Sequence, residues 1–343
     1  MKNNNYVVFY DNAFDLLRLV GACIVMLSHS FRHFGVDKPI YSLFFTDGSV
    51  GVIMFFAMSG FLIMPAWERS RSYSKPFFRF YWNRLVRLFP MIIISFVLIT
   101  LFNSFLIGEN ILTLDYIIYF IKYCIFLTGG GYGSAGLSNG IMWSFFPIII
   151  FYIIAPFLWK ITHDWNNKKW ISLILFMWLF NLFDKEVISV CKLIPIFGKY
   201  VGEGFFLCLL YEFLIGSFLY FRINQVMQLF VKKYVVLYFI FFTLFFVLYN
   251  YTDLIIKIGC MHSPFLGILA SPLAIIMGYS LGKIRIKTDL SFGILIMHMI
   301  VIGVLKFEGA TSVIGILMTV CITPLIAFVL NNFIEKPVLK LKV

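Results

Sequence analysis

The chain is written in apolar blocks joined by short polar stretches, and the blocks fall at 14–34, 49–67, 88–107, 141–160, 169–183, 203–221, 234–252, 264–282, 289–306 and 311–334. About twenty helical residues rise roughly 30 Å, the depth of a bilayer's hydrocarbon core. The pattern therefore predicts an all-α polytopic integral membrane bundle of about ten transmembrane helices. One further patch, 111–127, is apolar but interrupted by Asp115 and Lys122. The basic residues decide whether it crosses. If it does not, nineteen of the 28 Lys and Arg fall on one side of the membrane and eight on the other, with Arg18 set aside inside the first block. If it does, every later joint changes sides and the bias collapses. The patch is expected to be re-entrant or interfacial, with both termini cytoplasmic. The organisation is then a cytoplasmic tail at 1–13, a single transmembrane domain at 14–334 and a cytoplasmic tail at 335–343, with no internal repeat or low-complexity tract.

Composition agrees with the pattern. With 61% hydrophobic, 20% aromatic and 13% charged residues, the sequence cannot form an ordinary soluble domain. Its net charge of +12 sits in short joints, which points to topology and anionic lipid and away from nucleic acid. Cys23, Cys124, Cys191, Cys208, Cys260 and Cys321 stand singly without a Cys-x-x-Cys pair, so neither a disulfide framework nor a zinc site is indicated. No small-residue cleavage site follows the first apolar run, which is expected to be a retained span.

Candidate chemistry begins in the first block. Arg18 and His29 are eleven residues apart, three helical turns, so they share a face with roughly 16 Å between their backbone positions. Ionisable groups inside a span are costly and are functional candidates by default. The structural alternatives are an Arg18 that snorkels to the headgroups and a His29 that only bonds a neighbouring helix. His29, His33 and Asp37 repeat every four residues and offer a metal-binding alternative, although Asp37 falls where the helix should be ending. In the second block, Gly48, Gly51, Ala57, Ser59 and Gly60 allow close helix approach, and the hydroxyl of Ser59 can bond across an interface. The basic stretch that follows, Arg69 to Arg87, reads as a solvated cytoplasmic loop. Its last two members, Arg84 and Arg87, stand three apart at the threshold of the next helix. Two guanidiniums so placed can hold phosphates by forked hydrogen bonds.

These residues carry a resemblance. Asp15, Arg18 and His29, the run Gly48 to Phe61, Arg84 with Arg87 before Pro90, Trp143-Ser144 with Phe151-Tyr152 and Pro156, Ser291-Phe-Gly293 to His298, and Ile334-Glu335-Lys336-Pro337 resemble, in order, the blocks of the membrane acyltransferase 3 family. Two departures stand out. Ile148 occupies the position where that family usually has a Glu, and Phe292 and Leu295 replace two tyrosines near His298.

The resemblance implies an integral membrane O-acyltransferase of the cytoplasmic (inner) membrane. It would move an acyl group, acetyl above all, from cytoplasmic acyl-CoA to a hydroxyl of an envelope or surface polysaccharide, such as an O-antigen. His29 and Arg18 are then the catalytic candidates, Arg84 and Arg87 the donor-binding pair, and Ser59, Trp143 and His298 the acceptor or pocket residues. His29 is suited to act as general base or as an acyl relay, because an imidazole's unperturbed pKa of about 6.5 leaves a neutral base at physiological pH. Arg18 lies too far along the helix to touch the same atom; its expected work is to hold the donor or to stabilise packing, paired with Asp15. A thioester is already activated, so no metal and no bound cofactor are expected beyond acyl-CoA as donor substrate. The expected partners are the lipid bilayer, acyl-CoA, a glycan acceptor, free or lipid-linked, and either no further protein or a separate periplasmic or extracellular transfer partner. The rival class is a secondary transporter of a small polar or glycan-related solute, which would also use buried His and Arg, although no pair of broken helices in corresponding halves marks a carrier site.

Overall fold

The computed structural model describes residues 11–35, 48–106, 108, 110, 113–124, 137–192, 206–229, 232–251 and 263–343. Residues 1–10 of the expected tail and Asp37 of the metal-binding alternative lie outside this set. The described elements are helical: α1 (Phe14–Phe34), α2 (Ser49–Arg71), α3 (Pro76–Leu106), α4 (Leu114–Cys124), a 3-10 turn (Gly140–Ser144), α5 (Phe145–Thr162), α6 (Asn167–Leu182), α7 (Asp184–Lys192), α8 (Phe206–Leu229), α9 (Lys232–Tyr251), α10 (Pro264–Ser280), α11 (Ser291–Phe307), α12 (Ser312–Leu330), a π-helical turn (Asn331–Glu335) and α13 (Lys336–Leu339). No strand occurs among the described residues.

The described part of each of the ten apolar blocks falls on a helix. Among the described residues, seven spans are long and apolar enough to cross a membrane: α1, α2, α3, the 3-10 turn with α5, α8, α9, and α12 with its continuation to Leu339. Blocks 169–183, 264–282 and 289–306 form the shorter helices α6, α10 and α11, of 16, 17 and 17 residues. Large apolar side chains on α9 (Phe239, Phe241, Leu244) and α12 (Ile314, Leu317, Phe328) are exposed. Such a surface belongs in lipid. The chain is an all-α, multi-pass membrane protein.

Two elements refine the sequence picture. The described part of the patch at 111–127 is α4, eleven residues that by themselves rise only about 16 Å. It is docked on α3 through an aromatic cluster in which Phe96 meets Tyr116, Tyr119, Phe120 and Tyr123. The basic stretch is not a loop throughout. α2 runs to Arg71 and α3 already starts at Pro76, so Arg79, Arg84 and Arg87 are helical. Proline at the first helical position suits that start. Phe80 buries beneath the new turns while Phe77, Phe78 and Trp82 stay exposed, as aromatics do at a headgroup boundary. At 31 residues, about 46 Å, α3 outruns the hydrocarbon core, and its first turns carry the cations clear of it.

The described chain forms two compact units interleaved in sequence: Met1–Gly21, Ser49–Ser74 and Pro147–Lys287 in the first, and Ala22–Gly48, Lys75–Phe146 and Thr288–Val343 in the second. In the first unit α2 crosses α8 backbone to backbone. A Cβ on Gly60 would stand 2.1 Å from the Phe213 carbonyl oxygen, and one on Gly216 would stand 2.0 Å from that of Ala57. Ser217 Oγ sits at the crossing with its one hydrogen shared between the Gly60 carbonyl at 3.1 Å and the Phe213 carbonyl of its own helix at 3.0 Å. Small residues thus let two helices touch, as expected where lipid supplies no hydrophobic drive. In the second unit α11 packs on α12, where Gly293 lies so close to Ala327 that an added Cβ would come within 2.8 Å of the alanine methyl.

Candidate functional site

Helix α1 is built differently at its two ends. Asn12 Oδ1 accepts the Phe14 N–H at 3.2 Å, satisfying one of the first-turn donors. The Ala13 N–H donates to the Gly278 carbonyl at 2.7 Å, and the Phe14 ring occupies the space that any side chain on Gly278 would need. Arg18 pairs with Asp15, one turn earlier, as i, i+3 spacing allows. All these contacts belong to the first unit. His29 lies in the second.

His29 meets His298 of α11. The nitrogens Nδ1 of His29 and Nε2 of His298 are 2.8 Å apart, the ring centroids 5.1 Å, and the planes within 16° of parallel. Rings so spaced lie side by side in nearly one plane, which is a hydrogen bond and not a face-to-face stack. The other His298 nitrogen, Nδ1, is 3.0 Å from the Ile294 carbonyl. A carbonyl only accepts, so Nδ1 of His298 carries a hydrogen and, in the neutral ring, Nε2 does not. The bridging hydrogen then belongs to His29 Nδ1. In the neutral pair this leaves the lone pair of His29 on Nε2. His298 is sealed at 0% exposure while His29 retains partial exposure. The arrangement is a fixed inner imidazole that sets the tautomer of an accessible outer one. The next turn of α1 brings Arg32 and His33 within electrostatic reach of His29, and Lys306 of α11 stands near His33.

A polar network fixes the chain beside His298. Asn139 Nδ2 donates to the Ile296 carbonyl at 3.0 Å and to the Tyr123 oxygen at 3.4 Å. Ser95 Oγ donates to the Ile92 carbonyl at 2.8 Å, so the Tyr123 hydroxyl donates to Ser95 across their 2.8 Å contact. One hydroxyl, one phenol and one amide thereby join α3, α4 and the 3-10 turn to α11. Trp143, half-buried in that turn, lies on the same stretch of chain, between Gly140 near Met299 and Phe145 against Phe292.

The opposite end of α11 lies near the arginines. Asp289 Oδ1 accepts the Ser291 N–H at 3.0 Å, and Asn331 Nδ2 donates both to the Asp289 carbonyl at 3.0 Å and to Glu335 Oε2 at 3.2 Å. Glu335, buried, faces Arg87. Arg84, one turn before Arg87 on α3, lies 5.7 Å from the Phe80 ring centre. Ser291 and His298 are seven residues apart on α11, about 10 Å of helix.

The structure thus brings His29 and His298 together at the middle of α11, sets Arg84 and Arg87 near the turn that bears Glu335, and leaves Trp143 on the stretch of chain that runs alongside α11. Arg18 and Ser59 belong to the first unit, Ser59 directly before the Gly60 crossing. Sequence reasoning passed over Asn139, Tyr123 and Ser95, which carry no charge and no motif. It also passed over Glu212, fully buried in α8, although an acid inside an apolar run is itself a signal.

Residues 11–331 match a family model described as an acyltransferase domain. The chain belongs to the membrane acyltransferase 3 family. This family member is 28% identical over 183 residues to Nodulation protein 10 of Rhizobium leguminosarum bv. viciae, 48% of each chain. It is 37% identical over 83 residues to an O-acetyl transferase of Shigella phage Sf6, 24% of each chain. The chain therefore spans about half the length of the first relative and about a quarter of the second. No solved structure matches it.

Proposed function

We propose that this chain is an O-acyltransferase that moves an acyl group, acetyl above all, from cytoplasmic acyl-CoA to a hydroxyl of an envelope or surface polysaccharide. The observation that carries the reading is the His29–His298 pair, an accessible base with its tautomer set, inside the span of a family-matched chain. The likeness to a protein named O-acetyl transferase supports acetyl as the group and oxygen as the acceptor atom.

In the proposed reaction His29 Nε2 takes the proton of the sugar hydroxyl as its oxygen attacks the thioester carbonyl. The carbon–sulfur bond breaks, the thiolate leaves, and the proton on His29 passes to it. His298 stabilises the transient imidazolium by accepting from His29 Nδ1, backed by the Ile294 carbonyl. Arg84 and Arg87 hold the donor's phosphates at the cytoplasmic end, where the basic bias places them. The pantetheine arm is long enough in kind to lie along α11 between them. Trp143 offers an indole face to the acceptor sugar, and Arg18, held by Asp15, serves the packing of α1's entry turn.

The test is transfer of labelled acetyl from acetyl-CoA in membranes holding wild type or His29→Ala, with lipid-linked and surface glycans present. Label in glycan with wild type alone, at equal protein levels, is the expected result. Counterflow of an unmodified solute with no label in any glycan would sink the reading in favour of transport.

A further inference from the structure

The chain that follows α13 turns back along the first turns of α3. Trp82 Nε1 donates to the Leu341 carbonyl at 2.9 Å. Asn83 grips Val343 twice, Nδ2 donating to its carbonyl at 2.9 Å and Oδ1 accepting its N–H at 3.0 Å. The residues on both sides of Lys342 are thus clamped to the two residues that directly precede Arg84. Backbone held at both neighbours fixes where the Cα of Lys342 lies, beside the turn that bears Arg84, while its four-carbon side chain keeps its reach.

We propose that Lys342 completes, with Arg84 and Arg87, a three-cation seat for a phosphate-bearing ligand, the nucleotide end of the donor. The proposal rests on the acyl-CoA reading and adds to it a residue outside the family match, which ends at residue 331. The acids facing the group are Glu335 and, beyond it, Asp289, each already bonded, Glu335 by Asn331 and Asp289 by Ser291. The crowding registers on the lysine. Loss of water, then Arg87 and Arg84, pull its ammonium down to about 8, with Glu335 working in the opposite direction. A protein that assembles cations against their mutual repulsion has made a place for an anion. Two guanidiniums supply forked bonds and the ammonium a movable point charge, the combination that suits a phosphate chain.

The pH dependence follows from that lowered pKa. A bound phosphate favours protonated Lys342, and the ligand's own phosphates are fully ionised above their second pKa of about 6. Affinity is therefore full below about pH 8 and falls as pH rises past it. The experiment is binding of coenzyme A to the full chain in nanodiscs of phosphatidylcholine, from pH 7 to pH 9. Lys342→Gln should weaken binding about fivefold to tenfold at pH 7 and flatten the pH profile. Lys342→Arg should hold the affinity and also flatten the profile, because arginine does not titrate there. Lys340→Gln removes the same charge two residues away and should change neither. Wild-type affinity and profile in Lys342→Gln would overturn the seat. So would a Lys342→Gln that binds coenzyme A normally but loses its response to phosphatidylglycerol in the disc, since the cations would then serve a lipid headgroup. The acetyl-transfer assay separates the two readings. Transfer that is indifferent to Lys342 removes the seat and leaves the acyltransferase; coenzyme A binding that depends on Lys342 without any transfer does the reverse.

Discussion

The two units solve different problems with the same kind of helix. In the first, α2 and α8 press glycine against backbone, and Phe56 and Phe151 both stack on Phe213, at 4.8 and 4.5 Å between ring centres. In the second, α11 is surrounded by directed hydrogen bonds: His29 to His298, His298 to Ile294, Asn139 to Ile296, Asn331 to Asp289. Dispersion between close backbones gives rigidity without direction, whereas a hydrogen bond fixes an angle and, for imidazole, a proton. Under the proposed reading the first unit is scaffold and the second carries the chemistry.

The sharpest way to break that assignment is in the second unit. His29→Ala should lower acyl transfer by about 10² to 10⁴ while the protein stays in the membrane at its normal level, measured by labelled transfer against immunoblot. Gly60→Leu in the first unit should do the opposite. Its side chain would drive into the Phe213 backbone at a cost of about 3 kcal/mol or more, read as a lower thermal aggregation midpoint and less accumulated protein. A Gly60→Leu chain as stable as wild type would mean that the crossing is not where the first unit draws its strength. Next in size, His298→Ala should cut kcat by about tenfold to a hundredfold, since His29 loses the acceptor that sets its tautomer, with KM for acetyl-CoA nearly unchanged. Unaltered kcat would reduce His298 to packing. The smallest effect belongs to Tyr123→Phe, which removes one hydroxyl between Ser95 and Asn139 and should cost about 1 kcal/mol of stability with a modest loss of activity. An activity loss as large as that of His298→Ala would show that α4 positions the site more directly than its docking suggests.

The membrane helices were legible because an apolar run of bilayer length has few other folds available. The Asp15–Arg18 pair was legible for the same local reason, one helical turn. The expectation that 111–127 does not cross rests on two charges and the sidedness of the rest. The Arg69 to Arg87 stretch was not legible as helix, because basic residues interleaved with aromatics look alike in a loop and in an interfacial helix. His29 and His298 could each be marked as costly inside a span, but their meeting could not: 269 residues separate them, and no local period encodes a contact at that distance. The Asn139 and Asn331 bonds were hidden for a related reason. They go to backbone carbonyls, which every residue possesses, so the partner leaves no trace in the sequence.

Helix α11 also acts as a ruler. Its start is tied to the turn that bears Glu335, beside Arg87, and its middle bears His298, so under the proposed reading the reach from phosphate to base is set by seven residues of rigid helix. A donor anchored by its phosphates delivers its thioester carbonyl at the end of that reach whatever hangs beyond it. Acyl chain length is therefore invisible to the cation cluster, and a variant that accepts a longer acyl group should carry its change on the far side of His29, where the tail must go, and leave the measured interval intact.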